Sequence, residues 1–283
     1  MKYLPMILLI FILALSSCSN IQVSKSQWTQ KTIIADGKSN DWGDKFNFYD
    51  EDSKILCSIA NDSSHLYLLF KTDNSITQMK ILRAGMLVTF QTDVKNSREA
   101  AISFPAIKVK EDGEKRPGFM PQRDIESMKE IFLQIPHNME TNGFISQNGF
   151  MPNNNKDGIR VSIGWSKENS MCFEIAVPLS ELFVKPYQKE DLTSEITLKV
   201  DIKAPEKPDF SKREFSGRQQ PPTGAEGLEP PSGGRVGRGG VGGVGSGGRH
   251  PGGGYAQKGR GSGGWEELFN ENSFKHKFTM AGQ

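Results

Sequence analysis

Four histidines, three cysteines and scattered carboxylates are the residues of this 283-residue chain best equipped for chemistry. A catalytic or metal centre needs such groups at convergent spacing. His65 sits at a turn, His137 follows Pro136, His250 lies in a glycine-rich tract and His276 in a terminal strand, and no two form a metal-spaced pair. There is no Cys-x-x-Cys, and no nucleophile–base pair or paired carboxylates are legible,. An enzyme is therefore the least expected reading. Gly237 to Gly242 satisfies Gly-x-Gly-x-x-Gly, but no strand precedes it and no helix follows, which excludes a dinucleotide site,. Arg235, Arg238, Arg249 and Arg260 lie among the same glycines with only Tyr255 to stack on a base,. They suit either an inert insertion or a cationic loop touching anionic polysaccharide or lipid. The formal net charge of +2 gives no basis for a dedicated nucleic-acid surface,.

The first cysteine has a different context. Lys2 supplies a positive start, Pro5 to Leu15 is an apolar run too short for a comfortable membrane span, and Leu15-Ser16-Ser17-Cys18 follows directly,. This resembles the lipobox of bacterial lipoproteins. The resemblance implies a signal peptide over residues 1–17, cleavage before Cys18, and lipidation of Cys18 by diacylglycerol and palmitate. Several acyl chains anchor stably where one would not. Ser19 rather than Asp after the cysteine favours the outer membrane, so the chain is expected in the cell envelope. Residues 18–30 are polar and read as a tether. An oxidising compartment allows Cys57 and Cys172 to pair, but both fall in predicted strands and two separate buried thiols are the expected arrangement,.

The elements that must position any site are mostly strands. Ile55–Ala60 and His65–Phe70 flank the turn Asn61-Asp62-Ser63-Ser64 and predict a hairpin,. Met86–Phe90, Ala101–Phe104 and Met171–Val177 are further strands, and Ile159–Ile163, Ile196–Ile202 and Ser273–Met280 alternate apolar with polar residues,. One helix is predicted over Asp124–Gln134, with Asp124 as N-cap, and a single turn over Leu179–Leu182,. The fold class is all-β: an antiparallel β-sandwich, jelly-roll or immunoglobulin-like, with one short helix. The sandwich spans residues 31–206 plus 265–283. Residues 207–264 hold about two-thirds of the 30 glycines and read as a disordered insertion rich in Gly, Pro and Arg,.

Four pieces then fall into one order. They are Asp36-Gly37…Asp41-Trp42, the hairpin from Cys57 to Asp73, the strand opened by Gly85-Met86-Leu87-Val88, and Cys172 to Leu182 (CFEIAVPLSEL). Their order and spacing over residues 33–202 resemble family 9 carbohydrate-binding modules and their DOMON-like relatives. The resemblance implies two antiparallel sheets, Trp42 closing the sandwich near its first strand, Tyr67 on a central strand, and Glu174 pointing outward between Phe173 and Ile175. It also implies glycan binding through exposed rings flanked by polar side chains. Trp165 is the best ring for this, with sandwich packing as its alternative. Asn154 and Asn155 could line a polar site or form a solvated turn. Calcium, which sometimes holds loops in the family, stays open through Asp50-Glu51-Asp52 and Asp73-Asn74, which also read as surface acid,. No other cofactor is expected. Haem through Met86 or His276 is the outlying alternative. The preferred expectation is a glycan-binding envelope protein, with a protein-docking or structural lipoprotein as the alternative.

Overall fold

Strand pairing divides the chain between two sheets. The computed structural model describes residues 23–43, 45–92, 99–106, 124–155, 158–184, 193–207 and 266–282, all within one compact unit. The leader with Cys18, the glycine-rich tract and Trp265 lie outside the described residues. In chain order the strands are β1 (Val23–Lys25), β2 (Gln27–Trp28), β3 (Phe48–Asp50), β4 (Ile55–Asn61), β5 (His65–Thr72), β6 (Met86–Thr92), β7 (Glu99–Phe104), β8 (Asn138–Asn142), β9 (Gly149–Pro152), β10 (Arg160–Trp165), β11 (Met171–Pro178), β12 (Glu195–Ile202) and β13 (Asn272–Thr279). The helices are α1 (Ser75–Ala84), α2 (Ile125–Gln134) and α3 (Leu179–Leu182). The larger sheet runs β1-β13-β12-β6-β7-β8-β9; the smaller runs β10-β11-β5-β4-β2, with β3 also on β4. The molecule is a β-sandwich.

Burial along each strand tells which faces are covered. In β12, buried Ile196, Leu198, Val200 and Ile202 alternate with half-buried Glu195, Thr197, Lys199 and Asp201. Such alternation marks a strand with one face on the core. In β11 every residue is buried, Cys172, Glu174 and Ala176 included. The smaller sheet must therefore be covered on its outer face too. The cover is the segment after β2, where Ile33, Ala35 and Trp42 pack on Ala60, Tyr67 and Ala176. The main core lies between the sheets, where Phe104 meets Phe173 edge-on at 5.8 Å and Phe70 meets Phe173 at 6.1 Å.

Four expectations need correction. Residues 23–28, read as tether, enter both sheets: β1 pairs parallel with β13 and β2 pairs parallel with β4. The sheets are thus mixed rather than purely antiparallel. Ser26, between those strands, is buried; its backbone N–H donates to Thr279 O at 2.9 Å and its hydroxyl donates to Asn61 Oδ1. A polar segment can sit there because each polar atom finds a partner. The second correction is helix α1, which the single-helix reading lacks. Asn74 caps it by accepting from Thr77 N at 2.9 Å, and Gly85 ends it at φ +83°, its N–H donating to Ile81 O at 2.9 Å. Third, Ile33-Ile34, an apolar pair that reads from sequence as the end of a short strand, forms none, because this segment lies across a sheet face instead of at an edge. Fourth, β3, β8 and β9 add short strands to the predicted set.

Candidate ligand-binding surfaces

Glu174 organises the cover of the smaller sheet. It points outward from β11 as expected, yet its exposure is 0%. Its Oε2 accepts from Asp36 N at 2.9 Å and Gly37 N at 2.6 Å, and its Oε1 accepts from the Trp42 indole Nε1–H at 2.7 Å. Gly37 supplies the φ of +83° that aims two successive N–H groups at one oxygen,. Burial pushes the carboxyl up to about 7, against the downward pull of the Trp42 and Gly37 hydrogen bonds. Trp42 is structural, as expected, but it lies on the outer face of the smaller sheet and does not plug an end of the sandwich.

The second glutamate of the CFEIAVPLSEL stretch works the same way. Glu181, in α3, accepts from Ser146 N at 2.8 Å, Ser146 Oγ at 2.5 Å and Gln147 N at 3.2 Å. Burial raises its pKa, but these bonds outweigh burial and leave it lowered. Gln147 passes the order along: its Oε1 accepts from Ile159 N at 2.9 Å and from Asn155 Nδ2 at 3.0 Å. Both carboxylates therefore hold loops through N–H donors, and neither has a second carboxylate within its hydrogen-bond set. Sequence reasoning gave Glu181 no role. The only signal was an acid between two leucines that both prove buried.

The three expected ligand residues do not share one site. Trp165 ends β10, whereas the Asn153–Asn155 loop folds back beside its start, with Asn154 bridged to Arg160. Five residue steps of a strand separate them by about 17 Å. Trp165 is half-buried and packed against the core. Its Nε1 donates to Gln78 Oε1 at 3.1 Å, Phe132 of α2 meets it edge-on at 6.0 Å, and Lys129 Nζ stands 5.7 Å from the ring centroid. A sugar stacking on the face below Lys129 would have to displace a cation. Asn154 is exposed and Asn155 half-buried. Asn153 ties the loop to β10, accepting from Val161 N at 2.9 Å and donating through Nδ2 to Val161 O at 3.0 Å.

Three of the residues considered for calcium have side-chain oxygens engaged in local structure. Asp50 Oδ2 accepts from Ser53 N at 2.8 Å and Ser53 Oγ at 2.5 Å, Asp73 Oδ1 accepts from Ser170 Oγ, and Asn74 caps α1. Among the described residues no group of three or more His, Cys, Asp or Glu could hold a metal ion. The haem alternative does not fit. Met86 is sealed in the core, and His276 stacks on Phe48 at 4.0 Å with its Nε2 2.7 Å from Ser24 Oγ. The turn at Asp62 gathers Ser64 and His65, but Ser64 Oγ donates to Asp62 Oδ1 at 2.9 Å and His65 Nδ1 lies 2.8 Å from the same hydroxyl. Histidine does not stand between acid and hydroxyl there, so the trio lacks the order of a nucleophilic triad. Cys57 faces the core and Cys172 the opposite side of the sheet; both are buried free thiols, the expected arrangement.

No protein-family model matches the chain, and no curated protein matches it. Among solved structures, a family 9 carbohydrate-binding module from Caldicellulosiruptor kristjanssonii, in complex with glucose, aligns with a TM-score of 0.32 at 9% identity, covering 67% of this chain and 81% of that one. At that score the sandwich rests on its own strand pairing.

Proposed function

We propose that this chain is a non-catalytic glycan-binding β-sandwich of the cell envelope, held at the outer membrane by lipid on Cys18. One observation carries the reading. The first and last pieces of the family 9-like pattern meet at Glu174, which takes hydrogen bonds from Asp36, Gly37 and Trp42. A pattern scattered over more than a hundred residues has a single physical reason to occur together, which is the fold it stabilises. The described carboxylates with the most perturbed surroundings hold loops, which favours binding over catalysis. The exposed amide of Asn154, beside Arg160 and on a loop fixed by Gln147, offers hydrogen-bonding groups on a rigid frame,. Trp165 serves the packing of α2 in this reading.

A glycan array probed with the full chain, with and without calcium, tests it. The expected result is reproducible glycan binding that falls roughly ten-fold in Asn154→Ala, about the loss of one to two hydrogen bonds, and persists in Trp165→Phe. Silence across the array would remove the glycan reading. The anchor is tested separately: an alkyne-palmitate label should enter the wild-type chain and be absent from Cys18→Ser.

A second reading, protein docking, has its own observation. Leu133 and Ile135 at the end of α2 and Val184 after α3 are exposed by 66%, 52% and 64%. Cross-linking in intact envelopes to one defined partner, with a silent array, would favour it.

A further inference from the structure

Arg160 occupies an unusual position on the outer face of the smaller sheet. Its register partner on β11 is Ala176, and beyond Ala176 stands Tyr67 of β5. Ala176 is itself covered by the segment after β2, so the arginine stands at the margin of that cover. On its other side Arg160 bridges antiparallel to Asn154, so both side chains leave on the same face,. The arginine is half-buried, and its Nε–H is buried with no hydrogen-bond partner. No ion pair or side-chain hydrogen bond ties the guanidinium to a described residue. Buried N–H groups are nearly always satisfied, so the guanidinium is short of acceptors within the fold,. The arginine charge reaches both His65 and Tyr67, and opposes proton binding at each.

The acid of this corner cannot supply the acceptor. Asp62 Oδ1 takes Ser64 N at 2.6 Å, Ser64 Oγ at 2.9 Å and His65 N at 2.7 Å, and its Oδ2 takes the Tyr67 hydroxyl at 2.8 Å. Its charge is spread over four donors. Lys156 and Asp157 lie outside the described residues. The corner thus presents a guanidinium with no counter-charge among the described residues, beside the exposed amide of Asn154. A guanidinium binds a planar carboxylate through two parallel N–H bonds. A doubly charged anion would suffer more from Asp62 nearby than a carboxylate would.

We propose that Arg160, with Asn154 beside it, forms a carboxylate-binding subsite, and that the glycan recognised carries uronic-acid residues. This inference rests on the glycan reading and names the chemical class of the sugar. Asn154 then bonds a neighbouring hydroxyl while Arg160 holds the acid.

The test is nuclear magnetic resonance on the full chain with nitrogen-15 arginine, titrated with sodium glucuronate, glucose, sodium sulfate and sodium chloride at matched ionic strength. Arg160→Lys assigns the Nε–H resonance. The expected result is a saturable shift of that resonance with glucuronate, absent with glucose and chloride and weaker with sulfate. Affinity for glucuronate should fall at least ten-fold in Arg160→Lys. The inference is overturned if glucuronate leaves the resonance unmoved, or if chloride or sulfate moves it as much. The wild-type titration decides even if Arg160→Lys fails to fold. Neutral glycans captured on the array with a silent Arg160 would overturn the subsite and leave the glycan reading standing. Saturable glucuronate binding with no polymeric glycan captured would support the subsite and overturn the broader reading.

Discussion

Gly37 and Gly164 meet backbone to backbone: a Cβ added to Gly37 would lie 2.6 Å from Gly164 N, and one added to Gly164 would strike Gly37 O. The turn that feeds Glu174 is thus seated directly on β10. Gly164→Ala should destabilise the fold by about 2 kcal/mol, because backbone rather than a flexible side chain must yield. Gly37→Ala should cost roughly 1 kcal/mol more, since its φ of +83° is unfavourable for an L side chain,. Urea denaturation midpoints measure both. An unchanged midpoint for Gly164→Ala would mean that the turn lifts off the sheet freely.

Trp42→Phe keeps an aromatic ring on the outer face and removes one donor from Glu174. Losing a hydrogen bond to a buried carboxylate should cost about 2 kcal/mol,. The same denaturation series checks this, and the Glu174 pKa should rise further in the variant.

The pH dependence of Glu174 has a definite sign. Its carboxyl stands at about 7 in the fold, against an ordinary 4.5. The folded chain therefore takes up a proton that the unfolded chain releases. The group's contribution to stability is fullest below pH 4.5, declines as pH rises to 7, and is level above that. The expected observation is that wild-type stability falls relative to Glu174→Gln between pH 4.5 and 7.

His276 works in the opposite direction. Burial pushes it down to about 4 from an ordinary 6.5. Its contribution is full above pH 6.5 and is lost as pH falls towards 4, by roughly 3 kcal/mol at most. The two slopes oppose each other between pH 4.5 and 6.5. Wild-type stability should be flatter there than that of either variant: His276→Phe should lose stability on alkalinisation and Glu174→Gln on acidification. Parallel profiles for all three proteins would contradict both assignments.

Cys57 and Cys172 face opposite sides of one sheet and are free. Reductant should leave the thermal midpoint unchanged, and both thiols should react with a maleimide only after unfolding. A midpoint lowered by reductant would show that they bridge.

Where local pattern decided structure, the sequence was legible. The alternation in β12 predicted its two faces, and Asp124 announced α2, where its side chain accepts from Ser127 N at 2.9 Å. Helix α1 was not legible because its inward face includes Thr77, Gln78 and Lys80 beside Ile81, so no clean apolar stripe stands out,. Its cap, Asn74, looked equally like a cation ligand. Strand β8 is short and mostly polar, and β9 is short with Gly149 and Pro152 at its ends, so their pairing rather than their propensity makes them strands,. The burial of Glu174 could not be read from β11, because its cover arrives from 138 positions away. The separation of Trp165 from Asn154 was hidden for the same reason: spacing along the chain does not say that a loop returns to the far end of a strand.

The position of β13 has a consequence for how the protein is made. This strand lies inside the larger sheet, between β1 and β12, and Ile202 meets Asn272 across it. Until residues 272–279 have emerged from the ribosome, β1 lacks the strand it pairs with among the described residues, and β12 lacks its neighbour on that side. Strands β1 and β13 lie at opposite ends of the described residues, and contacts so distant along the chain form slowly,. The larger sheet is therefore completed only after residues 272–279 have been synthesised, whereas the smaller sheet draws all its strands from residues that precede them.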